Sequence, residues 1–388
     1  MKLIRPVLLP ILLMGAAAFG ACASNNPLLG VGAAGTTGTQ GTAGAGEPGN
    51  AGAHGTAGAQ GTAGAAGTAG AHGTAGAQGT AGAGGAAPTP LRISGVDAIN
   101  RITGVLWRSN PDSDTLARAQ AGQLTTVPQL AATVRSMLAD PRAASGVGAF
   151  YRWWLNLDAL LTRDGLSANT QADMANETET FGVNVTLAMN GTYGMLMTAP
   201  FSFINADLAN IYDVTGVVGD DLRQVTLDPS QRAGLLTQPG LQALGSFLPR
   251  NSPSHRGTII LEQILCQSVP AEPPNVPALV APPGVTLRAA LAAEVSSPVC
   301  QACHGFVDPP GLAFETFDDI GRFRTNDNGA PVDVSGLAIR LDSSGSPPVN
   351  FSGPIELAKI ISASVSAQQC MAKQWVAFVL GVPDSSGT

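Results

Sequence analysis

The chain is short of charge: Asp, Glu, Lys and Arg make up 12% of its 388 residues, about half the share of an ordinary globular sequence. Histidine and cysteine are scarcer still, at four and five residues, so any site built from them draws on a small set. No nucleophile elbow, phosphate loop or HExxH zincin motif occurs, which leaves hydrolase chemistry without a visible centre. There is also no basic patch. With Lys2, Arg5 and Glu47 set aside, the part from Leu91 onward holds 18 basic and 26 acidic residues, a net of −8, and this argues against a nucleic-acid partner. What is plentiful is glycine, 48 residues, and the first ninety positions account for the excess.

Residues 1–22 have a short basic start (Lys2, Arg5), an apolar run from Val7 to Met14, and small residues leading to Cys22. That run is too short to span a bilayer and has the form of an export signal. Because a cysteine follows the small residues, the segment resembles a bacterial lipoprotein signal, which implies cleavage before Cys22 and a lipid on that residue. The alternative is ordinary secretion with Cys22 incidental. Either way the mature protein is expected outside the cytoplasm, in the cell envelope: periplasm or outer membrane, with the lipid anchor as its membrane contact.

Residues 23–90 hold one charge, Glu47, and glycine at every third position from Gly35 to Gly44 and again from Gly49 to Gly85. A collagen-like period without proline is a weak triple helix, and Pro48 is the only proline between Gly35 and Gly85. A flexible spacer is the better reading. As a coil these residues span roughly 45 Å, enough to hold a domain clear of a lipid surface. His54 and His72 then belong to the solvated repeat.

From Leu91 the apolar spacing is helical, and the expected fold class is mainly α. Four helices are predicted: one capped by Ser94 with Ile99, Ile102, Val105 and Leu106 on a face; one capped by Thr125 or Thr126 with Leu130, Val134, Met137 and Leu138; one carrying Val147, Phe150, Tyr151, Trp154 and Leu155; and one over 170–189. Asn205 caps a short helix. A shift near Asp228-Pro229 divides a helical companion domain, 91–228, from a loop-rich domain, 229–345, and a helical segment, 346–388. Within the second domain, 235–247 reads as a helix broken at Pro239-Gly240, 270–283 as extended, 287–295 as a helix, and Asp308-Pro309-Pro310-Gly311 as a turn.

The one motif with specific chemistry is Cys300-Gln301-Ala302-Cys303-His304. Two thiols three apart, followed at once by a histidine, form the attachment pattern of a c-type haem: Cys300 and Cys303 as thioethers, His304 as the proximal iron ligand. A short disulfide or a zinc half-site are the alternatives. The distal ligand is open between Met371, on a helix shared with Trp375 and Val379, and His255, the one other histidine of the globular part. Arg256 is expected to order a loop or to meet a haem propionate. With Cys22 lipidated and Cys300 and Cys303 on haem, Cys266 and Cys370 are left to pair in an oxidising compartment. Glu315, Asp318 and Asp319 are either a cation cluster or ion-pair partners of Arg322 and Arg324.

Several longer stretches carry a family resemblance. Leu106-Trp107-Arg108-Ser109-Asn110-Pro111-Asp112, Met137-Leu138-Ala139-Asp140-Pro141-Arg142, Arg232-Ala233-Gly234-Leu235-Leu236-Thr237-Gln238, Ser254-His255-Arg256-Gly257 and the tract from Cys303-His304 through Ile320-Gly321-Arg322 resemble, in this order, the large planctomycete-type cytochrome C family with its companion domains of unknown function. The resemblance covers essentially all of 91–388; the CxxCH motif itself implies one covalent haem and an electron-transfer role with an unidentified redox partner. A haem peroxidase or oxidase using His255 as acid-base residue, and a non-haem surface-binding lipoprotein, are the readings from other classes.

Overall fold

The computed structural model describes residues 93–247, 249–271 and 279–382. The export signal, Cys22, the glycine repeat with His54 and His72, and residues 272–278 of the proline-rich stretch lie outside them. The described chain is mainly α, and its helices start where side-chain caps occur. Helix α1 (Gly95–Leu106) begins at Ser94, whose hydroxyl accepts the Asp97 amide. The Asn110-Pro111-Asp112 break turns out to start a helix as well: Asp112 caps α2 (Ser113–Gln120) by accepting the Thr115 amide at 2.8 Å. Gln129 reaches back to Thr126 at the head of α3 (Val127–Leu138), and α4 (Ala143–Trp154) follows. A small core of Ile99, Leu106, Trp107, Leu124 and Met137 joins this first group.

Helix α5 (Ala168–Val183) is capped by Ser167 and loosens into a wider π turn at Asn184–Ala188, so the helix predicted over 170–189 changes pitch in its last turn. It is followed by α6 (Tyr193–Thr198), α7 (Ala206–Tyr212), which Asn205 caps, and an antiparallel pair, β1 (Phe201–Ile204) with β2 (Arg223–Thr226). Phe150, Tyr151, Trp154, Met174 and Phe181 are all fully buried in a larger core.

Beyond residue 228 the helix predicted over 235–247 is instead a short 3-10 turn, then α8 (Pro239–Leu244), then a two-residue strand pair, β3 (Ser246–Phe247) with β4 (Arg250–Asn251). Pro239 starts α8 at its first turn, where the absent N–H costs nothing. Helix α9 (Pro253–Ile259) runs on into a π turn at Ile260–Ile264. After α10 (Leu287–Glu294) comes α11 (Pro298–Leu312), which contains Asp308-Pro309-Pro310-Gly311. This corrects the turn expected there. Two prolines remove two amide donors, yet the helix persists because α9 lies against it in backbone contact: a Cβ on Gly257 would sit 1.8 Å from the Val307 carbonyl oxygen, and one on Gly311 1.7 Å from that of Pro253.

The chain then forms two small antiparallel pairs, β5 (Asn326–Asp327) with β6 (Ala330–Pro331) and β7 (Leu337–Ile339) with β8 (Val349–Phe351). It ends in α12 (Gly353–Ala363) and α13 (Val365–Leu380), capped by Ser364 and closed by Gly381 at φ +63°. Trp375 of α13 stacks on Phe150 of α4 with ring centroids 3.7 Å apart. Cys266 and Cys370 are disulfide-bonded, with 5.5 Å between their Cα atoms, which ties α13 to the end of the π turn after α9.

Candidate haem-attachment site

The motif occupies the first half of α11. Ser297 accepts the Cys300 amide at 3.3 Å, and Pro298 sits in the opening turn. Helical spacing of three and four brings Cys300, Cys303 and His304 onto one face. They differ in depth: Cys300 is buried in the main core, the His304 side chain is 31% exposed, and Cys303 is an exposed free thiol. Cys303 is a free thiol, so the two sulfurs of the motif do not bridge each other.

His304 is oriented from its own helix and from the next. Its Nδ1 lies 3.0 Å from both carboxylate oxygens of Asp308, one turn further on. Asp308 is 5% exposed, and the Ser254 hydroxyl on α9 donates to its Oδ1 at 2.7 Å. Two sulfurs and an imidazole with one ring nitrogen already engaged form a donor set that suits a c-type haem. The residues present fit the group.

Arg256 is placed differently from the propionate contact considered above. It is 2% exposed, and its terminal nitrogens donate to the carbonyls of Phe314, Phe317 and Asp318 and to Ser246. That arrangement assigns it the loop-ordering role, clamping the chain that leaves α11, and takes it away from a propionate at the surface. Burial pulls the guanidinium down to about 10 and pushes the carboxyl of its buried neighbour Glu315 up; Glu315 also pairs with Arg324 at 3.0 Å. Asp318 accepts the amides of Ile320 and Arg322 and pairs with the Arg322 side chain at 4.0 Å. These carboxylates are thus engaged with arginines and backbone; among the described residues no cluster of three or more His, Cys, Asp or Glu could hold a metal ion. A cleft of about 300 Å³ beside them is lined by Arg250, Leu279, Asp319 and Arg324, and none of the three motif residues borders it.

Of the two distal candidates, His255 sits on α9, the helix packed against α11; its Nδ1 is 3.0 Å from the Ser252 hydroxyl and its ring meets the Phe247 ring edge-on at 4.3 Å. Met371 is on α13, half-buried against the main core, and α13 packs on α4, α12 and the π turn after α9. Sequence reading missed Asp308 and Ser254 as partners of the histidine. The signal was there in the i, i+4 spacing of His304 and Asp308, and the prolines that follow concealed it by suggesting that the helix had ended.

Residues 95–214 match the family model PSD4, a protein of unknown function (DUF1592), and residues 232–327 match PSCyt3, a protein of unknown function (DUF1588). Both are planctomycete cytochrome-associated domains. No curated protein and no solved structure matches the chain.

Proposed function

We propose that the protein is a c-type cytochrome-like electron carrier of the bacterial cell envelope, with one haem held by Cys300, Cys303 and His304 and a lipid anchor at Cys22. The observation that carries this reading is the attachment motif on one turn of α11, with Cys303 an exposed free thiol and His304 already oriented by Asp308. Bound haem would supply a one-electron ferric–ferrous couple. The chain does the rest. Cys300 and Cys303 would fix the ring to α11 and His304 would bind the metal, and Cys300, set in the main core, would join that attachment to the rigid part of the fold. The exposed flank of α11, with Cys303 and the 53% exposed Val299, sets the attachment point at the protein surface, where an electron-transfer partner can approach.

The test is a reduced-minus-oxidised visible spectrum of the full chain, exported in a host with haem-attachment machinery, beside a Cys300→Ala/Cys303→Ala control. A sharp reduced α-band that survives acid-acetone extraction and is missing from the control is expected. A colourless, folded parent would overturn the reading.

A further inference from the structure

The contact between His304 and Asp308 is more constrained than an ordinary pair on a helix surface. An exposed i, i+4 ion pair is held loosely and contributes a few tenths of a kcal/mol. Asp308 is instead 5% exposed, and its Oδ1 is held from a second helix by Ser254. The two helices are locked at backbone distance by Gly257 and Gly311, so Ser254 cannot retreat without separating α9 from α11. His304, by contrast, is only partly buried. A neutral imidazole has one N–H and one lone pair, and an ionised carboxylate only accepts. A carboxylate 3.0 Å from Nδ1 therefore holds the hydrogen there and puts the lone pair on Nε2.

We propose that Asp308, held by Ser254, is the positioning residue of this site: it selects the Nδ1–H form of His304, offers Nε2 to the iron, and by sharing negative charge through the hydrogen bond makes the imidazole a stronger donor that favours ferric iron. The potential-setting part of this rests on the proposed function; the choice of tautomer does not. A carboxylate behind a metal-bound histidine raises its basicity, and a more basic axial ligand lowers the reduction potential. The expected carrier thus operates at a lower potential than the same site with a neutral group at position 308.

Two measurements separate the parts. Redox titration of the haem-loaded full chain should give a higher midpoint potential for Asp308→Asn than for the parent, at equal haem content, with a smaller rise for Ser254→Ala. Equal potentials in all three would overturn the potential-setting role while leaving the electron-carrier reading intact. Long-range imidazole ¹⁵N NMR of the haem-free full chain, with the His304 signal assigned by its loss in His304→Gln, should show Nδ1–H in the parent and a shift toward Nε2–H in Asp308→Ala. Nε2–H in the parent would overturn the positioning role. A parent that takes up no haem refutes the proposed function and the potential-setting role together, and the NMR result still decides the positioning role.

Discussion

Glu177 is the most consequential single residue outside the CxxCH motif. It is fully buried, with the hydroxyls of Ser202 and Tyr212 donating to one carboxyl oxygen. Gln238 donates to Ser202 at 3.1 Å. Arg232 lies over the rings of Tyr212 and Phe317, at 4.6 and 4.5 Å, and donates to the carbonyls of Thr237 and Gly321. Burial is the main cause that pushes the Glu177 carboxyl up to about 7; the two hydroxyls and Arg232 oppose it. The folded pKa is thus above the ordinary glutamate value of 4.5, so the folded state binds the proton more tightly than the unfolded chain does. The stabilisation from this group is fully present below pH ~4.5 and is lost as pH rises through ~7, a loss on the order of 3 kcal/mol. Urea midpoints of the parent should fall across that window, and Glu177→Gln should remove most of the fall. A variant whose pH profile parallels the parent's would show that the carboxyl does not titrate in the fold.

Among the elements, the contact of α9 with α11 decides the most. Methyl groups at Gly257 or Gly311 would collide with backbone oxygens that have nowhere to move, so Gly311→Ala should destabilise the protein by 2 kcal/mol or more, roughly the cost of overpacking. The same change should separate Ser254 from Asp308, and this is visible as a shift in the His304 imidazole signals before global unfolding. A Gly311→Ala variant with parental stability would mean that the two helices can part without cost. The caps of these elements were legible in the sequence. Ser94, Thr126 and Asn205 start helices as expected, because a short polar side chain before an apolar stripe satisfies open amides locally. The persistence of α11 through Pro309-Pro310 was not legible, because it depends on a helix forty residues earlier in the chain. Local rules see only the lost donors.

For the molecule as a whole, the Cys266–Cys370 bond joins positions 104 residues apart and encloses the CxxCH motif, Asp308 and Glu315. Closing a loop of that length restricts the unfolded chain by about 4.7 kcal/mol in the chain-entropy model. Cys266→Ser/Cys370→Ser should therefore melt below the parent without reductant and together with it in reductant; equal melting temperatures in both conditions would show that the bond contributes nothing. The buried group around Glu177 also works at this scale. Glu177, Ser202 and Tyr212 come from the segment that matches one family model and Arg232 and Gln238 from the segment that matches the other, so one polar network joins both across a common core.

The amino-acid sequence alone was enough to predict a mainly helical class, most helix starts and the likeness to cytochrome-associated domains, since each depends on spacing within a few turns of chain. Tertiary structure decided what those residues face. It carried α11 through two prolines, set Ser254 and Asp308 behind His304, took Arg256 into the fold as a clamp, and enclosed Glu177 among groups far away in the chain. Contacts of that kind depend on which helices meet and how closely their backbones approach, and no local pattern encodes that distance.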